Sequence, residues 1–354
     1  MHSVGCVAKM TAIAGSFALA ALALTACVTD PHETVVATSD IVTIRASGSS
    51  AQLGAMDAWR SEFHELHPGV RIDYRANDSG AGVRDFIQGL TAFAGSDVPM
   101  RPKEQALADK RCGSRALHLP MVVGPIAVAY NLPSVPALKL SPDTLAGVFS
   151  GRITRWNAPE LAADNRGARL PSTKIQVIHR SDDSGTSHNF TTYLKAAGGW
   201  PYEPSRKWPA PGRGVETSSG VTEAVKETEG AIGYMEYGFA SDAELQTAKV
   251  RNAAGEFVAL SPESASTSLS GAEFVGENGD LAMRLNYLTK EKGAYPITLV
   301  TYEIVCQKGS DPLVRTFLRY TASNAGQAHL SLFGYAPLPP EVIVKVRAQV
   351  DALT

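Results

Sequence analysis

The chain has 354 residues, 33 basic against 35 acidic side chains, a net charge of −2 and 44% hydrophobic residues. That length supplies about two domains at roughly 100–200 residues each, and the interspersed, nearly balanced charge excludes the basic footprint of a nucleic-acid binder. Four cysteines, two of them within the first 27 residues, are too few and too scattered for a zinc site or a disulfide scaffold.

The N-terminus reads as a targeting segment. Lys9 is the only charged side chain before an apolar stretch from Thr11 to Leu24, which is shorter than the roughly 20 residues that span a bilayer. Leu24-Thr25-Ala26-Cys27 resembles a bacterial lipoprotein signal. The resemblance implies a signal peptide over residues 1–26 and Cys27 as the lipid-bearing first residue of the mature protein; an uncleaved anchor is the alternative. Either way the body is expected outside the cytoplasm. Residues 27–40 show no period and read as a tether, and nothing after Leu24 is apolar for long enough to cross a membrane.

Ile41–Arg45 reads as a strand, and Leu53, Met56, Trp59, Phe63 and Leu66 then recur at helical spacing until His67-Pro68-Gly69 stops the run. Val70, Ile72 and Tyr74 alternate as a strand. After Ser79-Gly80-Ala81-Gly82 a short helix carries Val83, Phe86, Ile87 and Leu90 on one side. Leu119 to Tyr130 is almost continuously apolar, as in a strand buried on both faces. Lys174 to His179 reads as a strand, and Phe190, Tyr193, Leu194 and Ala197 mark the helix that follows. Proline and glycine gather between Gly198 and Gly214, which predicts a surface loop. Gly230–Tyr234 and Ile297–Val305 read as strands and Pro340–Leu353 as a closing helix. This alternation argues for an α/β architecture.

The most informative stretch is His179-Arg180-Ser181-Asp182-Asp183-Ser184-Gly185-Thr186-Ser187-His188-Asn189, lying between a strand and a helix. Arg180 offers a fixed fork of donors, Ser184 and Thr186 offer hydroxyls, and Gly185 permits close backbone approach to whatever anion meets the helix N-terminus. The pattern suits a tetrahedral oxyanion. Two similar loops, Ser47-Gly48-Ser49-Ser50 and Asn77-Asp78-Ser79-Gly80-Ala81-Gly82, follow earlier strands, and Asp97 lies in Gly95-Ser96-Asp97-Val98-Pro99. Taken singly, each is a turn, a helix cap or, for Arg180 with Asp182, a structural ion pair. Jointly they sit where open α/β sheets bind ligands, outside the carboxyl ends of strands. Cys112 and Cys306 either pair, as an oxidising compartment permits, or stay as buried thiols.

At these residues the chain resembles the phosphate-binding lipoproteins and periplasmic proteins that feed phosphate ABC transporters. The likeness runs from about Ile41 to the end and is most specific over Arg180–Ser187, with support from Gly95–Pro99 and Tyr74–Val83. It implies a two-lobed periplasmic-binding-protein fold (type II-like) with crossing hinge strands. Residues 38–122 plus 296–354 would form lobe 1 and residues 123–295 lobe 2. It further implies an anion shell of Ser50, Ala51, Ser79, Asp97, Arg180, Ser184, Gly185 and Thr186, with Asp182 orienting Arg180. No metal or cofactor is implied. The implied partners are inorganic phosphate, the permease subunits and the ATPase of an ABC transporter, and the membrane through a lipid on Cys27.

Asp97 gives the shell its expected selectivity. An ionised carboxylate only accepts hydrogen bonds, so it favours phosphate, which carries a proton at neutral pH, over sulfate, which has none to offer. The chain departs from the family pattern in three places: Ala51-Gln52 follow Ser50 where an aromatic and a proline are common, Asp183 stands where Gly is usual, and His188 replaces an aromatic. The rival readings are a same-fold binder of another oxyanion, a sensor or adhesin, and a hydrolase with Ser184 as nucleophile and His179 or His188 as base. The hydrolase lacks a Gly-x-Ser-x-Gly elbow or a metal-ligand cluster.

Overall fold

The computed structural model describes residues 41–269 and 271–354. The expected signal peptide 1–26, Cys27 and the tether 27–40 lie outside the described residues.

A curled sheet of nine strands organises the chain. Its first half contains β1 (Val42–Ser49), β2 (Val70–Asn77) and β3 (Phe93–Ser96), all parallel, followed by β4 (Ala116–Tyr130). Across the sheet the order is β2, β1, β3, Thr298–Cys306, β4, Ala231–Glu236, Gln176–Arg180 and Arg213–Val215, with Gln246–Thr247 also pairing with β4. The strand Thr298–Cys306 runs antiparallel to both β3 and β4. Beyond β4 the strands Ala231–Glu236, Gln176–Arg180 and Arg213–Val215 are again parallel to one another.

The long strand β4 joins the halves. Ala116–Pro125 pairs with Thr298–Cys306, and Ile126–Tyr130 pairs with Ala231–Glu236. All fifteen of its residues are buried, as its continuous apolar sequence predicts for a strand covered on both faces. Two hydrophobic cores flank the division. One gathers Ile44, Trp59, Phe93, Val122, Val300, Phe317 and Val346; the other gathers Ile126, Tyr130, Phe149, Trp156, Phe190, Tyr234 and Leu299. Ala265, Leu269, Leu281 and Met283 pack into the first core although they precede the second pass through the sheet.

The predicted elements appear with local differences. In β2 the residues Val70, Ile72 and Tyr74 are buried in alternation. Helix Leu53–Leu66 buries Ala55, Met56, Trp59 and Phe63 but leaves Leu66 exposed at its end. Helix Ser79–Ile87 stops before Leu90, which is exposed. The segment Gly198–Gly214 is not simply a surface loop. It buries Trp200 and Arg206, and its Trp208 stacks on His179 and Tyr234, because an aromatic-rich loop gains more from covering the second core than from hydration.

Cys112, ending helix Pro102–Cys112, is bonded to Cys306 at the end of the strand Thr298–Cys306. The open alternative of free thiols is thereby resolved in favour of a disulfide. Among the described residues no helix is long and apolar enough to cross a membrane, and no group of three or more His, Cys, Asp or Glu side chains could hold a metal.

Candidate functional site

Because β1, β2 and β3 are parallel, their carboxyl ends lie at one edge, and the loops after them bring Ser49, Ser50, Ser79 and Asp97 together. The loops after Gln176–Arg180 and Arg213–Val215 approach from the other half and bring Arg180, Ser184 and Ser218. Contacts cross the seam. Ser50 Oγ lies 3.4 Å from Ser218 Oγ, Asn189 Nδ2 donates to the Asp97 carbonyl at 2.8 Å, and Gly80 N–H donates to the Asp183 carbonyl at 3.1 Å.

Asp97 is 3% exposed. Its carboxylate accepts from Ser49 Oγ at 2.6 Å, Ser79 Oγ at 3.1 Å and Thr301 Oγ1 at 2.8 Å. Ser79 Oγ also accepts from the Asp97 amide at 3.1 Å. Burial and the nearby Glu236 charge push the Asp97 carboxyl up to about 6, while the hydroxyl donors from Ser49, Thr301 and Ser79 oppose that shift. Asp97 is therefore mostly ionised at neutral pH, and the three donors leave it capacity for one more, since a carboxylate offers about four acceptor positions.

Arg180 is also buried. Its Nε and Nη2 donate to the two Asp182 oxygens at 2.7 and 2.6 Å, and Nη1 donates to Ser218 Oγ at 3.1 Å. Burial alone would lower its basicity, but the Asp182 carboxylate and the Glu236 charge outweigh this and raise it. A planar bidentate pair fixes the guanidinium, and Asp182 Oδ2 also takes the Thr217 amide at 3.1 Å. Asp182 thus orients both Arg180 and the start of helix Thr217–Glu227. Thr217 holds a φ of 61° there, a strained value for a β-branched residue.

Ser184 caps helix Gly185–Ala197, its Oγ accepting from Ser187 N at 3.1 Å. Among the described residues the Ser184 hydroxyl donates to none, and the first-turn amides of Gly185 and Thr186 precede any intrahelical partner. Other predicted donors are already engaged. Thr186 Oγ1 donates to Glu236 Oε1 at 2.7 Å, Ser79 Oγ serves Asp97, and the Ala51 amide donates to Ser49 Oγ at 3.0 Å. A hydroxyl has one proton to give, so Thr186 and Ser79 act in this arrangement by placing Glu236 and Asp97. Sequence reading missed Ser49, Ser218, Glu236, Thr301 and Asn189. The cluster Thr217-Ser218-Ser219-Gly220 opening a helix after a strand was a signal of the kind used for the other loops.

The hydrolase reading finds no support in this geometry. Among the described residues neither His179 nor His188 hydrogen-bonds Ser184; His179 Nδ1 lies 3.1 Å from the Arg180 carbonyl, and its ring stacks on Trp208. Asp183 reaches across the seam, both its oxygens lying within 3.2 Å of guanidinium nitrogens of Arg84 and Arg206.

The sequence matches the PBP superfamily domain over residues 29–325. This chain belongs to that superfamily. Phosphate-binding protein PstS 3 of Mycobacterium tuberculosis (strain H37Rv) is 41% identical over 98% of this chain and 99% of its own length. Phosphate-binding protein PstS of Pasteurella multocida is 33% identical over 89% of this chain and 92% of its own. Among solved structures, a phosphate-binding protein from Stenotrophomonas maltophilia aligns with a TM-score of 0.68 at 20% identity, covering 87% of this chain and 93% of that one. A high-affinity periplasmic phosphate-binding protein solved with phosphate bound aligns at 0.69 and 24% identity, with the same coverages. The superfamily chain described here thus has the two-lobed solute-binding fold, and its family consists of binding proteins rather than enzymes.

Proposed function

We propose that this protein binds inorganic phosphate between its two halves outside the cytoplasm and delivers it to the permease of an ABC transporter. One observation carries the reading: a buried Arg180, fixed by Asp182, stands in one half of a seam whose other half presents the buried carboxylate Asp97. The shell consists of Ser50, Ala51, Ser79, Asp97, Arg180, Ser184, Gly185 and Thr186. Arg180 supplies its two uncommitted N–H groups, Ser184 its hydroxyl, and Gly185 and Thr186 their amides at a helix N-terminus. Ser50 supplies hydroxyl and amide. Ala51 and Ser79 donate to the anion by exchanging their present acceptors, Ser49 Oγ and Asp97.

The lobes are residues 38–122 with 296–354, and residues 123–295, with the stretch 265–283 packed against the former. The two cores support this division, although Ala51, Ile297 and Leu299 pack into the second. An anion that bridges donors from both lobes selects the closed form. Release to the transporter then needs only reopening, because most donors are uncharged and are resatisfied by water. Cys27 carries the lipid that holds the protein at the membrane, where the permease subunits and the ATPase complete the transporter.

Calorimetric titration of the purified protein with phosphate, sulfate, arsenate and molybdate tests this reading. Phosphate and arsenate, which both carry a proton at neutral pH, should bind tightly and sulfate weakly; equal affinities for phosphate and sulfate would refute it.

A further inference from the structure

Five alternating charges cross the seam outside the proposed anion shell. Arg101 Nη2 pairs with Glu104 Oε1 at 2.8 Å, and Glu104 pairs with Arg206. Arg206 Nε lies 3.2 Å from Asp183 Oδ1, and Asp183 Oδ2 pairs with Arg84 Nη1 at 3.0 Å. Arg84, Arg101 and Glu104 belong to helices Ser79–Ile87 and Pro102–Cys112, or the cap of the latter, on the first half; Asp183 and Arg206 belong to the second. The row therefore crosses twice, at Glu104–Arg206 and at Arg84–Asp183.

Burial sorts the members by weight. Side-chain exposure is 5% for Arg206, 11% for Asp183 and 17% for Glu104, but 55% for Arg84. The exposed Arg84 pair contributes little on its own. Arg206 differs, since a buried cation shared between carboxylates on opposite sides is costly to leave with one partner missing. The backbone is closed at the same place: a Cβ on Gly80 would lie 2.0 Å from Asp183 Oδ2. An open cavity of about 300 Å³ lined by Arg101, Asp183, His188 and Arg206 gives solvent ions access to the row.

We infer that this row is a closure latch, in which Glu104 holds Arg206 across the seam while Asp183 braces Arg206 from its own side and reaches Arg84 on the other, and that the row so sets how long the bound anion stays, without touching it. The inference rests on the reading of a phosphate site that closes between two lobes. Asp183 is then a positioning residue for closure. It adds no free negative charge at the anion, because guanidinium groups take both its oxygens. Breaking the row favours the open form, in which each charge recovers water, so the effect falls on dissociation more than on association.

The test is stopped-flow phosphate binding by the full protein and by Asp183→Asn, Glu104→Gln and the double variant, each at low and high salt. Each single variant should release phosphate about tenfold faster with association changed less than about threefold. The two changes should be less than additive. Dissociation from the unmodified protein should quicken with salt, and that dependence should be lost in the double variant; this comparison survives if one single variant folds poorly. Unchanged dissociation, or slower release from Asp183→Asn as expected of a charge repelling the anion, overturns the latch. Failure of the unmodified protein to bind phosphate overturns the functional reading instead. In that case X-ray scattering still reads the latch on the ligand-free protein: Asp183→Asn should expand it, and an unchanged radius of gyration refutes the inference.

Discussion

Gly185 stands so close to Ser79 that a Cβ on it would lie 2.4 Å from Ser79 Oγ and 2.7 Å from Asp97 Cβ. The first residue of the helix Gly185–Ala197 thus meets two residues of the opposite half with no room for a methyl group. Gly185→Ala should weaken phosphate binding about 5- to 150-fold, from the roughly 1–3 kcal/mol that overpacking costs. Because opening relieves the clash, the melting temperature of the ligand-free protein should change little. Calorimetry and thermal melting together check this; undiminished affinity would show that the halves do not meet here when the ligand is bound.

Asp97→Asn should alter selectivity. The amide can donate to an anion, so sulfate should gain relative to phosphate by about 100-fold or more, within the range by which sites built to hydrogen-bond a hydroxyl reject analogues lacking it. Since the carboxyl sits at about 6, the unmodified protein should itself discriminate less as pH falls below that value and Asp97 becomes a donor. Competition titrations at pH 5 and pH 8 read both effects.

The same burial links the site to stability. Asp97 is raised from 3.8 to about 6, by burial first and then by the Glu236 charge. Glu303 is raised from 4.5 to about 8, by burial first and then by the Asp97 charge, with Gln52 opposing. A folded-state value above the unfolded one means that the contribution is fully present below the unfolded value and is lost as pH rises through the folded one. Ligand-free protein should therefore lose stability from about pH 4 to 6 through Asp97, by on the order of 3 kcal/mol, and on towards pH 8 through Glu303. Glu303→Gln should flatten the second part of the curve. Denaturant melts across this range decide the matter, and a Glu303→Gln curve parallel to the unmodified one would contradict it.

The Cys112–Cys306 bond closes a loop with a sequence separation of 194 residues. On the chain-entropy account such a cross-link is worth about 5 kcal/mol. It ties a helix of the first half to the strand Thr298–Cys306, far from the anion shell. Reduction, or a Cys112→Ser/Cys306→Ser double variant, should lower the melting temperature by roughly 7 °C and leave the ratio of phosphate to sulfate affinity unchanged.

What the sequence disclosed follows from the range of the interactions. Ser50, Ser79, Ser184 and Gly185 stand in Ser/Gly loops immediately after strand signals, so local chemistry marked them. Ser218, Glu236 and Thr301 lie in three other segments, and only the order of strands in the sheet brings them to Arg180, Thr186 and Asp97. Thr301 in particular reads as one more β-branched residue of a buried strand. Hydroxyl direction was also illegible: Thr186 carries the residue type expected of a ligand, yet its proton goes to Glu236. The stretch 198–214 looked like loop because of its glycines and prolines, while Trp200, Arg206 and Trp208 within it face inward to a core and a latch that sequence spacing does not encode.

The passage of β4 through both halves has a mechanical side. Its partner changes between Pro125 and Ile126, and Pro125 has no N–H to contribute to a ladder. A swing of one half against the other would draw on backbone torsions at Gly124-Pro125-Ile126, at the neighbouring Ile297-Thr298, and in the segments that lead to and from Ala265–Met283, which packs on the first core. Such a joint leaves the ladders on either side of it intact, so each half would move as a body. It also makes the halves interdependent, since melting either one strips hydrogen bonds from a strand that the other requires, and the whole should unfold as one cooperative unit.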